Sequence, residues 1–162
     1  MTPTLHLRQA NPSEAAFLTA LTIRSKAHWG YSESFMTAAI PELEFRSEKF
    51  LPEFLVYVLQ EDDKRVGFCS LLRMDDDTVE LHDLFVDPPQ IGHGYGKSLW
   101  LHRLRVARER GFKRMIITAD PNAEPFYVAQ GARRIGEKPS PVEHVVPSRC
   151  WSICSDRAAS DP

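Results

Sequence analysis

Apolar and polar residues alternate along "TLHLRQA" (4–10), and the period of two predicts a short strand. The spacing changes at once in "NPSEAAFLTALTIRSKAHW", where Asn11, Pro12, Ser13 and Glu14 read as a helix start. Ala16, Leu18, Ala20, Leu21, Ile23 and Ala27 form the expected apolar stripe of that first helix. "SESFMTAAI" (32–40) predicts a shorter second helix that Pro41 stops. Three apolar runs follow at 54–60, 65–74 and 78–86, broken by "EDDK" and "DDD", which is the pattern of hairpin-linked strands. A glycine-rich loop then opens a helix that runs to Arg110 and ends at Gly111. Beyond it lie a buried strand (114–120), a short helix closed by Gly131, and strands at 132–140 and 149–155. Helices first, then strands, then a strand–loop–helix–strand unit make an α/β (α+β) domain with a mixed, mostly antiparallel sheet.

Composition narrows the partners. The 162 residues suit one domain, expected over 4–155 with a polar tail at 156–162. Hydrophobic residues make up 43% and no apolar run approaches the roughly 20 residues of a bilayer span, so no membrane is expected. The first residues lack a basic stretch leading into an apolar one, which predicts a cytoplasmic protein. A net charge of −2 without long blocks of one sign argues against a nucleic-acid footprint. Cys69, Cys150 and Cys154 sit in strand-like sequence without further ligands at metal spacing, so reduced thiols and no metal are expected.

The stretch "QIGHGYGKSLW" (90–100) holds Gly92, Gly94 and Gly96 ahead of Lys97 and Ser98. A nucleotide P-loop needs a further glycine where Ile91 stands, and the upstream strands read as antiparallel, so a P-loop nucleotide-binding protein is the minor alternative. A dinucleotide fingerprint would need glycine at Lys97 or Leu99. A plain turn before a helix is the commoner role of spaced glycines. Three in alternation, opening an apolar helix, bare successive N–H groups at its positive end and match an anion.

The surrounding residues carry a resemblance. "VDPPQIGHGYGKSLWLHRLRVARERGF" resembles the cofactor-binding motif of the GNAT acetyltransferase superfamily, with Val86, Pro88, Gly92, Gly94, Gly96, Ala107 and Gly111 in place. Ile91 departs from it, standing where the family has Arg or Gln. "ADPNAEPFYVAQGARRIGE" resembles a second family segment through Ala123, Phe126, Tyr127, Gly131 and Ala132. The resemblance covers roughly residues 4–155 and implies an acetyl-CoA-dependent N-acetyltransferase. The implied pyrophosphate contacts are Ile91, Gly92, His93, Gly94, Tyr95, Gly96 and Lys97, held mainly through loop amides. Leu84, Phe85 and Val86 fall where the family pairs a strand with the pantetheine arm, and Asn122 where that arm finds a side chain. Asp120 replaces an asparagine common in the family.

Acetyl transfer to an amine asks three things of a protein. An amine of pKa ~10.4 is protonated at neutral pH, and freeing its lone pair costs about 4–5 kcal/mol unless a base helps. The thioester carbonyl must be polarised, and the departing thiolate leaves better with a proton. Tyr127 matches the family's tyrosine beside the sulfur, an acid for the thiolate; a buried aromatic is its plainer role. Glu80, His82, Leu84 and Val86 share one face of the strand. Glu80 ranks narrowly first as base, directly or through water, with His82 in competition; a solvated strand position is the ordinary fate of such a glutamate. His28, Trp29, Tyr31 and Phe35 cluster around Gly30 and are expected to wall the acceptor pocket or to pack the core. The acceptor is expected to be a small-molecule amine rather than a protein, since no docking surface of one sign is evident. A homodimer is common among similar proteins. A non-catalytic acyl-CoA sensor is the third reading.

Overall fold

A computed structural model describes residues 2–119, 121–138 and 148–154. Asp120 and the tail 156–162 lie outside them. The chain forms two compact units: Met1–Leu71 with Asp83–Arg103, and Leu72–His82 with Leu104–Pro162.

In the first unit β1 (Leu5–Gln9), β2 (Phe54–Glu61), β3 (Lys64–Arg73) and the end of β4 (Thr78–Val86) lie side by side in that order. β1 pairs antiparallel with β2, from Leu5↔Glu61 to Gln9↔Tyr57. The hairpin between β2 and β3 turns at Asp62, whose φ of 50° is one that a short side-chain acceptor tolerates. Helices α1 (Ala15–Ala27) and α2 (Glu33–Leu43) belong to this unit. Leu18 and Leu21 of α1 pack with Phe45, Val56, Val58 and Phe68, each such side chain contributing about 1.5–3 kcal/mol by leaving water.

Two helix details differ from expectation. The buried face of α1 is Leu18, Leu21, Thr22 and Ser25, while Ala16, Ala20 and Ala27 are exposed. Alanine carries too little apolar area to decide which way a helix turns. The two polar members of the face are satisfied: Thr22 Oγ1 donates to the Leu18 carbonyl at 2.8 Å, and Ser25 Oγ to that of Val86 at 2.6 Å. The second correction is that α2 continues through Pro41 to Leu43. Pro41 falls in the last turn, where only one backbone bond is forfeited and Glu44 N–H still reaches the Ile40 carbonyl at 3.0 Å.

Glu14 anchors the start of α1. Its carboxylate is buried and receives both Arg8 nitrogens (2.8 and 3.0 Å), Arg65 Nη1 (3.1 Å) and the Asn11 N–H (2.9 Å). The Arg8 hydrogen bonds hold its pKa down at about 2, against 4.5 ordinarily. A carboxylate depressed in this way stabilises the fold above the unfolded pKa, and that stability is lost as pH falls through the folded one. Glu14→Gln is therefore expected to cost on the order of 2 kcal/mol at pH 7. In urea unfolding, the gap to wild type should close between about pH 4.5 and pH 2; a gap independent of pH would refute the ionic origin.

In the second unit the order is β4-β5-β7-β6, with β5 at Arg114–Ala119, β6 at Arg133–Lys138 and β7 at Ser148–Cys154. β4 and β5 are parallel, from Thr78↔Arg114 to Leu81↔Ile117. β7 is antiparallel both to β5 and to β6, so the last strand enters between its two predecessors. Val79, Leu81, Met115, Ile117, Tyr127 and Ala132 are buried. The "DDD" break closes as an Asx turn, Asp75 Oδ1 accepting the N–H groups of Asp77 (2.9 Å) and Thr78 (2.7 Å). Helix α3 (Tyr95–Glu109) runs through both units, and α4 (Glu124–Ala129) lies in the second. Among the described residues no helix is long and apolar enough to cross a membrane.

Candidate active site

The glycine loop leaves a short 3-10 turn (Pro88–Gln90) and enters α3. Gly92 and Gly94 both have left-handed backbones, φ 91° and 83°, which a side-chain-bearing residue adopts only at a cost. A Cβ on either would meet nothing within 4 Å, so their outer faces are open. The N–H groups of Gly92, His93 and Gly94 have no backbone acceptor among the described residues. Ser98 N–H, bonded to the Gly94 carbonyl at 3.1 Å, is the first to close the α3 ladder, so the amides of Tyr95, Gly96 and Lys97 stand ahead of it. The loop thus presents a run of donors at the positive end of a long helix.

The other loop residues take distinct places. Ile91 is 46% exposed and Lys97 is exposed, while the Tyr95 ring is buried and offers the loop only its main chain. Beside the Tyr95 hydroxyl, the Glu61 carboxylate raises the phenol pKa. His93 Nδ1–H donates to the Gln90 carbonyl at 2.9 Å, and its ring stacks on Tyr95 with centroids 5.9 Å apart.

The strand leading into the loop has one committed edge. Asp87 N–H bonds the Val66 carbonyl on β3 at 2.9 Å. A methyl on Gly67 would come within 2.7 Å of the Phe85 carbonyl oxygen, so β3 and β4 approach as only glycine permits. Phe85 and Asp87 therefore turn their main chain toward β3, and by alternation Leu84 and Val86 turn theirs the other way. The Phe85 ring packs on the core cluster, 5.8 Å from Phe68. Pairing of β4 with β5 ends at Leu81↔Ile117, and β4 runs on to Val86 without it.

Ser25 and Arg24 secure this strand end. Ser25 Oγ holds the Val86 carbonyl, and Arg24 grips Asp87 through two hydrogen bonds of 3.1 Å. Neither residue stood out in the sequence, because a serine and an arginine on a helix read as ordinary surface.

Glu80, His82, Tyr127 and Asn122 belong to the second unit. Glu80 and His82 come together on one face of β4, with His82 Nδ1 3.2 Å from Glu80 Oε1. Tyr127 is buried in α4, its ring edge-on to Phe126 at 5.3 Å, and its carbonyl accepts the N–H groups of Ala132 (3.0 Å) and Gln130 (3.1 Å). Asn122 is exposed in the turn Pro121–Ala123.

The four expected acceptor residues form two pairs. His28 and Trp29 meet edge-on at 5.6 Å, with Trp29 48% exposed. Tyr31 and Phe35 lie 4.3 Å apart under the Lys26 ammonium, 5.0 and 5.9 Å from the two centroids.

A buried charged group was not foreseen. Asp83 Oδ2 accepts from Ser70 Oγ at 2.6 Å and from Lys49 Nζ at 3.0 Å, and the ammonium also lies 4.6 Å over the Phe45 ring. Strand alternation carried the signal, since Asp83 shares the buried face with Leu81 and Phe85. On α3 the Arg103 guanidinium is wholly buried against the Trp100 ring at 3.1 Å. Burial pushes the nearby Cys69 thiol up to about 12, which leaves it unreactive.

A mixed sheet with an unfinished parallel ladder, and a left-handed glycine pair ahead of a long helix, define an α/β fold of the acetyltransferase class. The model of the acetyltransferase (GNAT) family matches residues 20–132. The chain belongs to this family. It is 33% identical over 79 residues to an uncharacterized N-acetyltransferase (ycf52-like) of Prochlorococcus marinus; the match covers 47% of this chain and 44% of that relative's length. Among solved structures, it is similar to a GCN5-related N-acetyltransferase of Rhodopseudomonas palustris, with TM-score 0.75, 22% identity, and coverage of 95% of this chain and 98% of that one. The PaiA N-acetyltransferase of Thermoplasma acidophilum, solved in complex with coenzyme A, follows at TM-score 0.72 and 18% identity, covering 93% of this chain and 99% of that one.

Proposed function

We propose that this protein moves an acetyl group from acetyl-CoA to a primary amine of a small molecule. The observation that carries the reading is the row of N–H groups without backbone acceptors among the described residues, from Gly92 into the first turn of α3, which fits a pyrophosphate. Next to it, on the edge of β4 away from β3, the Leu84 amide and the Val86 N–H suit the amide groups of a pantetheine arm, the Val86 carbonyl being held by Ser25. Bound acetyl-CoA supplies the activated acetyl thioester. The protein's part is to hold that arm by strand-like hydrogen bonds, to accept a proton from the amine at Glu80 or His82, and to return one from the Tyr127 hydroxyl to the departing sulfur. Asn122 serves the cofactor arm, and the pairs His28–Trp29 and Tyr31–Phe35 offer rings to the acceptor.

A thermal-shift series with acetyl-CoA, CoA and ATP–Mg tests the cofactor, and stabilisation by ATP alone would overturn the reading. Release of CoA thiol across an amine library tests the reaction and names the acceptor. Ile91 supplies a finer check. Its exposed side chain leaves the loop without the family's Arg or Gln, so Ile91→Arg is expected to lower the KM for acetyl-CoA about 3–10-fold through a charge-assisted contact. The gain should shrink as salt rises from 0.05 to 0.5 M, roughly the range over which screening shortens. A gain that ignores salt would point to packing instead of phosphate.

A further inference from the structure

We propose that Glu80 and His82 are one device, in which the Glu80 carboxylate fixes His82 through Nδ1–H and His82 Nε2 takes the proton from the acceptor amine. The proposal rests on the acetyl-transfer reading above and assigns the proton-accepting atom within it. Glu80 becomes a positioning residue.

Three observations carry it. Glu80 and His82 are two apart on β4, so their side chains leave the same face, and Oε1 and Nδ1 lie within hydrogen-bond distance at 3.2 Å. The carboxylate is the deeper of the two, its side chain 14% exposed against 34% for the imidazole. Backbone support differs in the same sense: Glu80 is registered with Ile116 and Leu81 with Ile117, and the parallel ladder stops there, just before His82. The residue held in the β4–β5 ladder thus orients the one just beyond it.

The chemistry follows from imidazole. A neutral ring carries one N–H and one lone pair, and a carboxylate facing Nδ1 selects the tautomer with the proton on Nδ1. The lone pair is then on Nε2. As the amine nitrogen bonds to the acetyl carbon and the C–S bond breaks, one amine proton passes to Nε2 and on to bulk water. The Nδ1 proton remains on the ring, and the Glu80 charge balances the imidazolium while it lasts. Imidazole is also a closer match than a carboxylate for the proton of an amine.

The test separates the two roles without relying on turnover alone. Nitrogen-15 NMR of the His82 ring in the unliganded protein should show the Nδ1–H tautomer, mixed with Nε2–H in Glu80→Gln, whose amide can also donate to Nδ1, and in Glu80→Ala. In CoA-release assays, Glu80→Gln should lose roughly 10-fold or more, because its amide carries no charge to balance the imidazolium. Glu80→Ala should lose roughly 10-fold or more, and His82→Ala about 100-fold, partly restored by added imidazole, with the KM for acetyl-CoA unchanged in all three. A wild-type Nε2–H tautomer overturns the proposal. So does a His82→Ala variant near wild type beside slow Glu80 variants, an outcome that leaves acetyl transfer intact with Glu80 as the base. Failure of the wild type to release CoA with any amine removes acetyl transfer and this proposal together.

Discussion

Tyr127→Phe is expected to lower kcat about 100-fold or more while leaving the Kd for acetyl-CoA within about twofold. The substitution removes one hydroxyl and keeps the ring, which is buried and packed edge-on to Phe126. The backbone is held independently of that hydroxyl, because the Tyr127 carbonyl closes the end of α4 by accepting Gln130 and Ala132. Cofactor affinity should therefore report little, and turnover should report the loss of the proposed proton donor. Single-turnover measurement sharpens the comparison by isolating the chemical step from product release. With a better leaving group, such as an activated aryl thioester in place of acetyl-CoA, the deficit should narrow, since that thiolate needs less protonation. An undiminished kcat would remove Tyr127 from the chemistry and return it to the core.

The second large effect concerns stability. Asp83→Ala is expected to cost about 3–5 kcal/mol, because it leaves the Lys49 ammonium and the Ser70 hydroxyl in a nearly dry site without their shared acceptor. For a protein of this size the melting temperature should fall by roughly 6–20 °C. Removing both charges by Asp83→Leu with Lys49→Met should recover much of the loss, since paired burial of charge contributes little net stability. A double variant as unstable as Asp83→Ala would show that packing, and not the stranded charge, dominates. A loss below about 1 kcal/mol in Asp83→Ala would mean that water reaches Lys49.

Local pattern and local chemistry were legible residue by residue. The alternating stretch 4–10 falls on β1 and the apolar runs fall on β2 to β5, the helix start at Asn11–Glu14 is a working cap, and Gly111 closes α3. The shared face of Glu80 and His82 followed from strand geometry alone, and the structure brings those two side chains into contact. Elsewhere a neighbour distant in sequence decides. Ala16 and Ala20 fit an apolar stripe, but α1 turns on Leu18, Leu21, Thr22 and Ser25 because Ser25 reaches the Val86 carbonyl and the leucines meet Phe68 and Val58. Asp83 drew no notice because its partners Lys49 and Ser70 lie 34 and 13 residues away.

The elements and the family were legible in the residues alone, since each rests on spacing within a few positions: glycines that free the backbone, an aromatic in a short helix, a carboxylate and an imidazole two apart. It took the folded chain to show that β7 enters between β5 and β6, that the β4–β5 ladder ends at Leu81, and that the main chain of Leu84 and Val86, unlike that of Phe85, faces away from β3. Backbone pairing is written in no side chain. It is chosen by which strands can bury their faces together, a property of the whole chain at once.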